Sequence, residues 1–76
     1  MDGRVEALEL LVGESFPHAG TPLKDLDLID NVLLCSINRR GKIIRPGGRD
    51  TLEHGDSVVV VTTDKKINGI NDIVKG

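Results

Sequence analysis

The chain has 76 residues, with 12 acidic and 10 basic side chains, a formal net charge of −2, one cysteine and one aromatic residue, Phe16. A chain of this length makes one small domain, residues 1–76, that buries only about two-thirds of the surface of its unfolded state. The near balance of charge and the single aromatic ring argue against nucleic acid as a partner, and one cysteine excludes an internal disulfide framework and a Cys-rich zinc site.

Residues 4–12, Arg4-Val-Glu-Ala-Leu-Glu-Leu-Leu-Val12, satisfy two templates. Val5, Leu8 and Val12 would share a helical face, whereas Leu8, Leu10 and Val12 alternate as on a strand. Gly13 follows at once and nine residues is short for a lone helix, so the strand is chosen. Residues 13–21 form a loop by composition. Thr21-Pro22 reads as a helix start, with a hydroxyl at the N-cap, proline in the first turn and Asp25 close behind. Leu23 and Leu26 would face inward.

Val32 to Ile37 is the second strand. Its run Val-Leu-Leu-Cys is apolar on both faces, and Cys35 reads as a buried small hydrophobe. Arg40-Gly41 makes a turn into a short strand, Lys42 to Arg45. Pro46-Gly47 fits the centre of a type II turn. Gly55-Asp56 makes another turn, with the Asp carboxylate available to backbone N–H groups. Ser57 to Thr62 holds four consecutive valines, so both faces of the sheet should be dry here. Asp64 is placed to cap a last helix carrying Ile67, Ile70, Ile73 and Val74, with Gly76 as its stop.

The order β-α-β-β-β-α describes an α+β fold: a small sandwich, with a mostly antiparallel sheet and two short helices on one face. Two short helices cover one face only. The valines predict that a second copy, or another domain, covers the other. No apolar run approaches the roughly 18 residues of a membrane span and no signal peptide is visible, so no direct membrane insertion is expected.

No catalytic set emerges, and the chain is read as a non-enzyme. His18 and His54 have no second ligand at metal spacing. Pro46-Gly-Gly-Arg49 lacks the spacing of a phosphate loop, and no dinucleotide fingerprint is present. Arg39, Arg40, Lys42, Arg45 and Arg49 cluster around one hairpin, either as a solvated rim or as a meeting point for an anion. The loop 13–21 is the longest irregular stretch, and irregular stretches on a rigid scaffold often bind ligands. Ser15, His18 and Thr21 can hydrogen-bond there, while Phe16 can wall a pocket or, on the competing reading, plug the core.

Three strings at their spacings carry a resemblance: A-G-T-P-L-K-D-L-D-L (19–28), V-L-L-C-S-I-N-R-R-G-K-I-I-R-P (32–46) and D-T-L-E-H-G-D-S-V-V-V-V (50–61). Together they resemble the C-terminal regulatory domain of Trk-type potassium uptake proteins, the TrkA-C or RCK-C domain. The resemblance implies a cytoplasmic subunit, peripheral to the inner face of the cell membrane, that acts on a potassium channel or transporter through the full-length protein. It also implies a homodimer and a ligand-sensing module. In some relatives the ligand is cyclic di-AMP at the dimer interface, which places its site here at about Ser15 to Thr21. No cofactor is expected on this chain; NAD or ATP would belong to a Rossmann half upstream, the present sequence being a C-terminal piece of a longer protein. The alternative is a small β-grasp carrier or adaptor, which shares the Gly-Asp-x-Val-x-Val strand. A sulfur carrier needs a flexible Gly-Gly tail, and Val74-Lys75-Gly76 after an apolar helix does not supply one.

Overall fold

A computed structural model describes residues 4–75. Four strands form one antiparallel sheet: β1 (Glu6–Leu11), β2 (Val32–Arg39), β3 (Lys42–Ile44) and β4 (Ser57–Thr62), in spatial order β1-β4-β2-β3. The choice of strand for the first segment holds. β4 lies in the middle, Glu6 to Leu11 pairing with Thr62 to Ser57 on one side and Val32 to Asn38 with Thr62 to Ser57 on the other. The valine-rich strand is thus paired along its whole length on both sides, where β-branched side chains pack best.

The two expected helices are replaced by single 3-10 turns, Leu23–Asp25 and Ile70–Ile73. Thr21 caps nothing: Pro22 holds the cap position in extended conformation and no side chain closes the turn. Pro22 instead bridges Thr51, and the Leu23 and Lys24 N–H groups donate to the Asp50 and Gly48 carbonyls. Backbone bonded sideways to another loop is not free to propagate a helix. At the other end the Asp64 carboxylate accepts the Lys66 N–H locally, and Asp72 accepts the Asn68 and Gly69 N–H groups. Gly76 lies outside the described residues.

The core lies on one sheet face. Leu10, Ile37, Val58 and Val60 come from the sheet, and Phe16, Leu52, Ile67, Ile70 and Ile73 come from the loops and turns laid across it. Val12, Ile37, Leu52, Val58, Val60 and Ile73 are wholly buried. Irregular chain therefore supplies the second layer, held by hydrophobic residues at its turns.

Cys35 is exposed, against the expectation of a buried residue. The pairing of β2 with β4 slips between Leu34, opposite Val60, and Ser36, opposite Val59. Cys35 follows core-packed Leu34 on the open side and is the extra residue of a β-bulge, after which Ile37 takes the core row opposite Val58. The other face is not dry in a single chain: Val5, Leu11, Leu33 and Ile43 stand about two-thirds exposed.

Two turns follow the sequence and one does not. Arg40 and Gly41 both have positive φ, 53° and 84°, the pattern of a two-residue hairpin, and Asn38 Oδ1 accepts the Gly41 N–H at 2.9 Å. Gly55 has φ of 95° and the Asp56 N–H donates to the Glu53 carbonyl. Pro46-Gly47 is not a type II centre, because Gly47 is not among the left-handed residues. The turn closes one step later, with the Asp50 N–H on the Gly47 carbonyl and the Gly47 N–H on the Asp50 carboxylate at 2.6 Å.

Candidate functional site

The loop after β1 is pinned at several points. The Val12 N–H donates to the Asp56 carbonyl and the Gly55 N–H to the Val12 carbonyl, both at 2.8 Å. The Gly20 N–H donates to Leu52 at 2.9 Å, and His54 Nε2 donates to the Phe16 carbonyl at 3.1 Å. A loop tied this way is a shaped surface rather than a loose one.

Phe16 is 2% exposed and belongs to the core, as the competing reading of that residue has it. Its ring meets the His18 imidazole edge to face, centroids 5.6 Å apart at 71°. Ser15, Phe16, Pro17 and His18 line a depression of about 260 Å³, completed by Asn71 and Val74 from the last turn. Asn71 Nδ2 donates to Ser15 Oγ at 3.4 Å across its rim. The structure thus brings Ser15, Phe16 and His18 together and leaves Thr21 outside. The anion-binding helix start is absent too, since three residues of 3-10 turn do not make one. Asn71 was not singled out from the sequence, and Val74 only as an apolar residue of the last helix; nothing in a reading along the chain places residue 71 beside residue 15.

The basic cluster divides. Arg39 Nε and Nη2 donate to Asp56 at 3.0 and 2.8 Å, and Nη2 also reaches the Thr51 carbonyl at 2.9 Å. Asp56 is 2% exposed and also accepts the Glu53 N–H at 2.9 Å. Burial works to raise the Asp56 carboxyl, but the Arg39 hydrogen bonds, the Glu53 N–H and the guanidinium charge outweigh it and hold the group below the ordinary aspartate value. The same hydrogen bond raises Arg39, against its own desolvation. This fork ties β2 to the turn before β4. A hollow of about 480 Å³ lies over it, lined by Arg39, Arg40, Glu53, His54, Gly55 and Asp56. Arg40, Lys42, Arg45 and Arg49 are exposed. The pairing of Arg39 follows from the bulge at Cys35, which turns over the residues after it and which the apolar run conceals.

Among the described residues no group of three or more His, Cys, Asp or Glu side chains is placed to hold a metal, and no helix is long and apolar enough to cross a membrane.

Comparison with known proteins places these features. The chain is 37% identical over 71 residues to a "Trk system potassium uptake protein TrkA homolog" of Archaeoglobus fulgidus, and 28% identical over 75 residues to "Trk system potassium uptake protein TrkA" of Azorhizobium caulinodans. These alignments cover 93% and 99% of the chain but only 16% of each relative, so the chain spans about a sixth of their length. A solved structure described as "Structure of RCK domain with cda" shares the fold, with a TM-score of 0.69 at 22% identity, over 79% of this chain and 83% of that one. The model of the TrkA-C domain family matches residues 7–75, and with the sheet and loops it spans now described, the chain belongs to that family.

Proposed function

We propose that this chain is the regulatory domain of a potassium-transport subunit, cytoplasmic and held at the inner face of the membrane through the rest of a longer protein. The observation that carries the reading is the family match over residues 7–75, together with relatives named for potassium uptake at 37% and 28% identity. On this reading the domain is not an enzyme. It works by pairing with a second copy and by responding to a small ligand, and its effect reaches a channel or transporter in the membrane.

Two features support the pairing and sensing parts. One sheet face carries exposed Leu33, Ile43, Leu11 and Val5, more apolar surface than a lone small domain gains by showing. The depression at Ser15, Phe16 and His18 has polar groups on an apolar floor, the make-up of a small-molecule site. A two-fold ligand such as cyclic di-AMP suits two such loops brought together by a dimer. NMR shift mapping with cyclic di-AMP, ADP and ATP tests the sensing. Shifts at Ser15, His18 and Asn71 support it; shifts confined to Arg39–Arg49 move the site to the hairpin; none with any nucleotide removes the sensing role.

A further inference from the structure

The segment 51–56 is held from two sides. On one side Arg39 gives Nη2 to the Thr51 carbonyl, and Nε and Nη2 to the Asp56 carboxylate. On the other side it bonds the loop after β1. The Val12 and Gly20 N–H groups donate to the Asp56 and Leu52 carbonyls, the Gly55 N–H to the Val12 carbonyl, and the His54 ring to the Phe16 carbonyl. The hollow of about 480 Å³ lies over this segment, between Arg39, Arg40, Glu53 and His54.

Its polar groups are not all used. Among the described residues Arg39 Nη1 has no protein acceptor, and the exposed Arg40 side chain makes neither a hydrogen bond nor an ion pair. The Phe16 carbonyl can only accept, so His54 Nε2 carries the proton and Nδ1 of the neutral ring is an acceptor. Two acids are also present. The Asp56 charge is matched by Arg39, and Glu53 Oε2 accepts the Thr51 hydroxyl. Residues 39–49 hold five cations and no acid, in a chain of net charge −2.

We propose that this hollow is a site for inorganic phosphate. Two guanidinium groups offer planar, charge-assisted donors to its oxygens. Hydrogen phosphate also carries one O–H, which His54 Nδ1 can accept. The field of the hairpin draws an anion in, while Glu53 opposes it and keeps the site exchangeable. A phosphate bridging Arg40 and His54 ties the β2–β3 hairpin to the loop that His54 already holds. The site lies apart from the depression at Ser15 and His18 and takes a different ligand, so it does not depend on the sensing role proposed there.

NMR titration with sodium phosphate at slightly alkaline pH, ionic strength held constant with sodium chloride, tests this. The Arg39 and Arg40 Nε–H and the Gly55 N–H signals should move along a saturating curve. Sulfate and glycerol phosphate carry no hydrogen on their oxygens at that pH and should bind more weakly. Arg40→Gln should weaken phosphate about tenfold. Glu53→Gln should tighten it about two- to fivefold, since it removes a like charge and leaves an oxygen for the Thr51 hydroxyl. Lys66→Gln removes a cation past the opposite end of β4 and should change nothing. Circular dichroism of each variant should match the native chain. Shifts that do not saturate, equal binding of sulfate, or an equal loss in Lys66→Gln would overturn the site and leave a solvated rim. Tighter binding of glycerol phosphate would overturn the assignment to the inorganic ion. Phosphate should also slow hydrogen exchange at the Val12 N–H, and unchanged exchange with the Arg40 signal saturated would overturn the tie to the loop. A response to cyclic di-AMP at Ser15 and Asn71, with none to phosphate at Arg40, removes this site and keeps the other.

Discussion

Asp56→Asn is the substitution that most directly tests how the β2 end is held. The carboxylate is 2% exposed and accepts hydrogen bonds from Arg39 and Glu53 at 2.8 to 3.3 Å. Asparagine has the same shape, so no cavity forms. One oxygen becomes an NH₂ group that faces donors, and the charge is lost. A hydrogen bond to a charged group contributes about 1.5–3 kcal/mol. Arg39 is 35% exposed and can turn toward water, so the loss stays below that of a fully buried pair. About 2 kcal/mol at neutral pH is expected. With a urea slope of about 1 kcal/mol/M for so small a domain, the midpoint falls by about 2 M. The pH dependence is the sharper readout. The folded group binds its proton less readily than the unfolded one, at about 3.9. Its contribution is therefore complete above that value and is lost as pH falls through the lower folded value. Urea titrations of both proteins from neutral pH into acid should converge. Parallel curves, or an unmoved midpoint at neutral pH, would refute the reasoning.

Phe16→Ala should cost about 3–5 kcal/mol and leave the chain largely unfolded by circular dichroism, because the ring is in the core as well as in the candidate site. Gly55→Ala places a side chain at φ of 95°, where nothing lies within 4 Å, so strain alone should lower stability by about 1–2 kcal/mol, read as a drop in Tm. Cys35 should react with a chromogenic thiol reagent in the native state as fast as in urea; protection until unfolding would contradict its place in the bulge. Calorimetric titration with NAD and NADH should give no heat of binding, and micromolar affinity would overturn the reading.

The strands were legible because their signals are local. Four valines between Gly55-Asp56 and Asp64, and Gly41 in its hairpin, specify structure without reference to the rest of the chain. The helices were misread for the opposite reason. Thr21-Pro22 has the chemistry of a helix start, yet Leu23 and Lys24 give their N–H groups to Asp50 and Gly48, partners more than twenty residues away. Cys35 was misplaced because an apolar run hides a change of phase: Val-Leu-Leu-Cys reads as doubly buried when one residue is simply out of step. Of the loop residues, Ser15, Phe16 and His18 share a depression, and Asn71 joins them only through the fold. The ion pair at Arg39 was hidden among four other cations whose spacing looks the same.

The first strand pairs only with the last: Glu6 meets Thr62 and Leu11 meets Ser57. During synthesis at about 5–20 residues per second, β1 emerges and then waits roughly 2–10 seconds before its neighbour has been made. The hairpin of β2 and β3 closes early, but the central strand that joins it to β1 is the last of the four to appear. For that interval Glu-Ala-Leu-Glu-Leu-Leu is an unclaimed segment with both edges open, and its two glutamates are its main protection against joining the wrong chain. The ribosome therefore delivers the central strand of this sheet last, and the yield of folded protein should depend on how well β1 is kept from other partners until then.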